Sequence, residues 1–208
     1  MDPKVRIQEK ARELFMSYGI RSVSMDDIAS NLGMSKKTIY QSFADKDELV
    51  DAVFEGEMSH THDRCMQCSR TSKDAIAEIF QTIEEVHGRF SQMNPMIIYD
   101  LQKFHPKTFE KFRKMKDEFL AKVVADNLKR GIEEELYRPD INIEIMSRFR
   151  VESMMLALTM PASLPHQKYS LAQITRETME HFVFGVASIK GYKLIIKYKE
   201  EQLKKENL

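Results

Sequence analysis

The sequence predicts an all-α protein in which a small N-terminal bundle of capped helices precedes a larger helical body. Three observations point there. Apolar residues recur at amphipathic-helix spacing along nearly the whole chain, and no useful period-2 run interrupts them. Capping residues, Gly and Pro divide those stretches into separate helices. With 208 residues, 42% hydrophobic and 31% charged, the chain has enough apolar surface to bury a core.

The elements follow in order. Asp2 and Pro3 supply an N-cap and a first helical residue, after which Ile7, Ala11, Leu14 and Phe15 make one apolar stripe ending near Gly19. Ser24 and Asp27 form a capping-box variant with Val23 and Ile28 as its hydrophobic staple, so a second helix starts there and stops at Gly33. Ser35 caps a third helix, stapled by Met34 and Ile39. Asp45 and Glu48 open a fourth, which continues to about Arg70. Later helices are expected over 72–91, 94–103, 106–130, 142–160 and 170–189, separated by Asn94-Pro95, Pro106, Gly131, Pro139, Pro161 and Pro165. The tail from Lys190, with six lysines and three glutamates, reads as a solvated helix end. This gives a first domain over 1–50 and a second over 51–208, linked by the fourth helix from about 46.

Composition narrows the class. No apolar run approaches the roughly 20 residues of a membrane span, and "MDPKVRIQEK" lacks the apolar block of a secretory signal, so a cytoplasmic protein with reduced cysteines and no membrane partner is expected. With 32 basic and 32 acidic residues, bulk charge does not argue for nucleic acid. Local placement does. Two short capped helices joined at Gly33 and Met34 make a helix-turn-helix, whose second helix enters the DNA major groove N-terminus first. At about 100° per residue, Ile39 and Phe43 face the core while Lys37, Thr38 and Gln41 lie opposite. Lys and Gln hydrogen-bond base edges, Thr adds a hydroxyl or methyl contact, and backbone N–H groups at the start capped by Ser35 attract phosphate. Tyr40 stands at the shoulder, where its hydroxyl can reach a phosphate.

From about Val5 to Val53 the chain resembles the N-terminal domain of the tetracycline-repressor family, most closely in "DDIASNLGMSKKTIYQSFADKDELV". The matching positions include Ile28-Ala29, Gly33, Ser35, Ile39-Tyr40, Phe43 and Lys46-Asp47-Glu48-Leu49. The resemblance implies phosphate contacts at Ser24, Tyr40 and Lys46, and base reading by Lys36, Lys37, Thr38 and Gln41. Many members have glycine where this chain has Lys37, which adds a cation for a base or a phosphate.

The resemblance also implies that the remainder is a ligand-binding and dimerisation body, so a homodimer on a palindromic double-stranded operator and a small-molecule inducer are expected partners. The residues suggest an adaptable apolar interior: Met58, His62, Met66, Phe80, Phe90, Tyr99, Phe104, Phe119 and Met155 are candidate lining. Phe149, Met154, Ile174, Phe182, Val183, Val186 and Ile189 resemble the family's two-helix contribution to a four-helix dimer interface. His62, Cys65 and Cys68, spaced by three, offer a same-family alternative gated by metal or thiol oxidation. One helix does not supply four tetrahedral ligands, so no metal and no cofactor is expected. Neither a Gly-rich phosphate loop nor a catalytic motif stands out, so no catalytic residue is assigned and an enzyme is the unfavoured class. A helical interaction module without DNA binding fits the neutral charge but not the basic outer face of the third helix.

Overall fold

A computed structural model describes residues 2–90, 93–159 and 169–206. Their order is α1 (Pro3–Tyr18), α2 (Met25–Leu32), α3 (Lys36–Ser42), α4 (Lys46–Thr71), α5 (Ala75–Phe90), α6 (Ile97–Phe104), α7 (Pro106–Lys114), a π-helical segment (Met115–Leu120), α8 (Ala121–Glu133), α9 (Ile143–Thr159), α10 (Leu171–Val186) and α11 (Ile189–Glu206). The described residues contain no strand; Tyr137 and Ala187 form an isolated antiparallel bridge. None of the described helices is long and apolar enough to cross a membrane. The expected breaks at Pro161 and Pro165 and the side chain of Phe90 lie outside the described residues.

The chain divides into two units, Met1–Thr61 with Gln92–Met115, and His62–Ser91 with Lys116–Leu208. The first unit therefore takes in α6 and α7, which the sequence reading assigned to the second domain. Its helices start as local chemistry dictates. Asp2 Oδ1 accepts from Lys4 N at 2.9 Å, and Ser24 Oγ accepts from Asp27 N at 3.1 Å while Asp27 Oδ2 accepts from Ser24 N at 2.8 Å. Each such cap contributes about 1 kcal/mol. At the start of α4, Asp45 Oδ1 accepts from Glu48 N and Glu48 Oε2 accepts from Ala44 N. Ile7, Phe15, Ile20, Ile28, Ile39, Phe43 and Leu49 are buried, each worth about 1.5–3 kcal/mol.

The second unit is built on a core of Ile76, Phe80 and Ile83 from α5, Leu128 from α8, Met179, Phe182, Val183 and Val186 from α10, and Ile195 and Tyr198 from α11, closed by Leu136 and Tyr137. Four sequence expectations change here. Gly131 does not end a helix: α8 runs through it to Glu133 and turns at Glu135, whose φ is 60°. The helix expected over 170–189 stops at Val186 because Arg138 N donates to Val186 O and Ser188 N donates to Leu136 O, both at 2.9 Å. The lysine-rich tail is then a separate helix, α11, with Gly191, Ile195 and Tyr198 buried rather than a solvated end. Finally, the helix expected over 106–130 is interrupted by the π-helical segment, where Asp117 O accepts from Arg148 Nη1 at 3.1 Å. A π segment widens the turn and leaves carbonyls for outside donors.

Candidate nucleic-acid interface

The turn between α2 and α3 rests on Gly33, whose φ of 62° is left-handed; a side chain there costs about 1–2 kcal/mol. Met34 N donates to Ala29 O at 3.0 Å, closing α2, and Ser35 Oγ accepts from Thr38 N at 3.2 Å, opening α3. Ile39 is fully buried, which fixes the outward face. On that face Lys37 and Gln41 are exposed and form no hydrogen bond or ion pair among the described residues, and Tyr40 is 50% exposed.

The other expected contacts are partly committed within the protein. Lys36 Nζ is ion-paired with Asp26 Oδ2 of α2, which raises the lysine's pKa. Thr38 is half-buried, its Oγ1 2.9 Å from Ser35 Oγ. Ser24 Oγ donates to Asp27 Oδ2 at 2.7 Å, and that bond with the backbone one holds the Asp27 carboxyl below its usual range. Lys46 is turned inward. Its Nζ donates to Ile20 O at 2.7 Å and lies 5.9 Å from the Phe15 ring centroid, and burial lowers its pKa.

Lys46 meets a second brace that the sequence reading missed. Asp100 of α6 is buried, and its Oδ2 accepts from Arg21 N at 3.0 Å, so the α1–α2 turn is held by α4 through Lys46 and by α6 through Asp100. Asn94 N adds a bond to Met16 O at 2.7 Å. Farther along, Lys111 Nζ donates to Asp51 Oδ2 and Glu55 Oε1 at 2.7 and 2.6 Å, and Thr108 Oγ1 donates to Asp51 Oδ1 at 3.0 Å. Buried His105 places Nδ1 2.8 Å from Asp47 Oδ1, without hydrogen-bond alignment. One signal was present: Asp100 interrupts the apolar face of "IIYDLQKF". We expect Lys46→Met to weaken binding to specific and random DNA alike, leaving the slope of log affinity against log salt unchanged. A slope shallower by about one unit would put the ammonium on a phosphate.

The remaining candidates are scattered. Met58, Tyr99 and Phe104 belong to the first unit, the last two exposed; Met66, Phe80, Phe119 and Met155 belong to the second. His62 stacks on Phe119 with ring centroids 4.4 Å apart. Phe80 belongs to the core and borders a groove of about 330 Å³ with Tyr198 and Lys73. Burial pushes the Cys68 thiol up, the direction that makes a poorer nucleophile. Of the expected interface residues, Phe149 and Ile189 are 52% and 82% exposed, and Met154 and Ile174 are half-buried. Phe182, Val183 and Val186, expected at the same interface, lie on the buried stripe of α10 inside the chain's own core.

A family model described as bacterial regulatory proteins, tetR family, matches residues 7–53. The HTH-type transcriptional repressor KstR2 of Mycobacterium tuberculosis is 25% identical over 150 residues, spanning 68% of this chain and 72% of that protein. Among solved structures, a TetR-family regulator from Agrobacterium tumefaciens aligns with a TM-score of 0.74 at 14% identity, over 89% of this chain and 98% of the other. A transcriptional regulator from Cytophaga hutchinsonii aligns with a TM-score of 0.70 at 21% identity, over 90% and 100%.

Proposed function

Since the chain belongs to the tetR family of bacterial transcriptional regulators and carries its helix-turn-helix DNA-binding domain, we propose that it is a repressor that grips a palindromic operator as a homodimer inside the cell and releases it on binding a small molecule. The observation that carries the reading is the outer face of α3, where Lys37 and Gln41 stand exposed and uncommitted on a helix whose Ser35 cap and buried Ile39 fix its orientation. Lys37, Gln41 and Tyr40 are then the leading DNA contacts. Lys36 joins them by leaving Asp26, and Ser24, Ser35 and Thr38 contribute mainly by shaping the helix starts. Selection of bound sequences from a random DNA pool tests this. A palindrome with half-sites about one helical turn apart, or a multiple of it, supports the reading, and recovery of no shared sequence removes it.

For the dimer, the supporting feature is the outward side of α9, where Ile145, Phe149 and Leu156 are exposed at helical spacing. Phe149→Glu is expected to shift the protein to monomer in sedimentation while its helical circular dichroism stays native. Phe182→Glu is expected to lose helicity instead, because it forces a charge into the core. A Phe149→Glu protein that remains dimeric would take α9 out of the interface. Induction fits α4, which runs from the capped start beside α3 across the division at Thr61. A ligand that favours the non-binding state by about 2.8 kcal/mol lowers operator affinity roughly a hundredfold.

A further inference from the structure

Arg150 on α9 has 2% of its surface exposed. Arginine is almost never buried to that degree unless paired. Among the described residues, one of its five N–H donors is bonded: Nη1 donates to Ser153 Oγ at 3.3 Å. The guanidinium carbon lies 5.7 Å from the ring centroid of Phe182 on α10, itself part of the apolar core. No ion pair to Arg150 occurs among the described residues, and residues 157–168, whose side chains are not described, contain no Asp or Glu. Glu152, the acid nearest in sequence, accepts from Lys116 Nζ at 2.6 Å. Burial lowers the pKa of Arg150 to about 10 with no carboxylate acting against it, so the group stays cationic at neutral pH.

A buried charge without a counter-ion is a standing destabilisation, of which a ring face offsets only part. A second polar atom on the facing helix is uncompensated as well: Thr175 Oγ1 of α10 is buried with no hydrogen-bond partner. Met146 and Met154 flank Arg150 one turn away on either side of α9, both half-buried. Flexible thioethers beside an unanswered guanidinium suit a molecule with an apolar body and an anionic head.

We propose that Arg150 anchors the ligand of this protein, an amphipathic organic anion whose carboxylate or phosphate head accepts from the guanidinium while its apolar body lies along α9 and α10 beside Phe182. This rests on the ligand-responsive reading above and assigns the ligand's charge. The planar fork of arginine takes two oxygens of one head group at once, which a lysine does not reproduce.

The test titrates the full chain with decanoate, decyl phosphate and decanol below their micellar concentrations, reading Tm and release of the selected operator. Wild-type protein is expected to gain Tm with decanoate or decyl phosphate and little with decanol; the two anions distinguish the head groups. Arg150→Met is expected to raise the ligand-free Tm by about a few degrees, because a side chain of similar volume replaces an unanswered charge, and to bind the anions at least about tenfold more weakly. Arg150→Lys falls between. Equal response to decanoate and decanol, no response to either anion, undiminished anion binding by Arg150→Met, or an Arg150→Met chain that does not fold would each overturn the assignment. If decanol releases the operator equally from wild type and Arg150→Met, ligand response stands and the anion anchor falls. If decanoate binds through Arg150 without releasing DNA, the anchor stands and ligand response falls.

Discussion

Gly131→Ala is expected to cost about 3–5 kcal/mol, at the extreme of single substitutions, and to lower Tm by about ten degrees or more. A Cβ at Gly131 would lie 2.0 Å from Cδ2 and 2.2 Å from Cε2 of Tyr137. The ring cannot step aside cheaply because it is held at both ends. Its hydroxyl donates to Asn127 Oδ1 at 3.1 Å and to Ala75 O at 3.3 Å, and its backbone N donates to Gly131 O at 2.9 Å. Burial keeps the phenol protonated, so those donations persist at any ordinary pH. Tyr137→Phe is the companion measurement. It keeps the ring and takes the donor from Asn127 Oδ1, while Ala75 O keeps the Asn127 Nδ2 donor at 3.0 Å, so about 1–3 kcal/mol is expected. Thermal unfolding followed by circular dichroism compares the two, and a Gly131→Ala protein with wild-type Tm would disprove the close approach.

The double substitution Lys37→Ala with Gln41→Ala is expected to erase most preference for the selected operator. Each base contact carries about 1–3 kcal/mol of discrimination, so the pair amounts to about thirtyfold or more even at the lower limit. The two residues sit one helical turn apart and the single effects need not add. Affinity for random DNA should fall only by the loss of one cation. Titrating the operator and a scrambled duplex at one fixed salt concentration separates these terms. An equal loss on both duplexes would mean that Lys37 and Gln41 touch phosphates alone.

What the sequence made legible was the chemistry that acts within one helical turn. Asp2, Ser24, Asp27, Ser35, Asp45 and Glu48 cap the helices they were expected to cap, because a cap needs only its next three residues. Distant partners were not legible. That Lys46 spends its ammonium on Ile20 O depends on a backbone 26 positions away, and that Asp100 reaches Arg21 depends on one 79 away. The same reason explains Phe182, Val183 and Val186. An apolar stripe announces that a face is covered, not whether its own chain or a second copy covers it. The break at Val186 was invisible because the groups that end α10, near Leu136 and Arg138, lie about fifty residues earlier and carry no terminating residue type of their own.

The return of α6 and α7 to the first unit bears on how a hybrid of this protein and a relative would have to be joined. Recombination that joins one protein's DNA-reading segment to another's sensor at Val53, where the family resemblance ends, leaves behind Asn94, Asp100, Thr108 and Lys111. The transplanted α1–α2 turn then loses the carboxylate on Arg21 N, and Asp51 loses both of its donors. A functional hybrid must inherit two stretches of chain from the same parent, residues 2–61 and 93–115, although they are separated in the gene by the whole of α5. The unit that carries the helix-turn-helix is heritable only as a discontinuous block, so crossovers inside α5 preserve fewer of its contacts than the short family match would suggest.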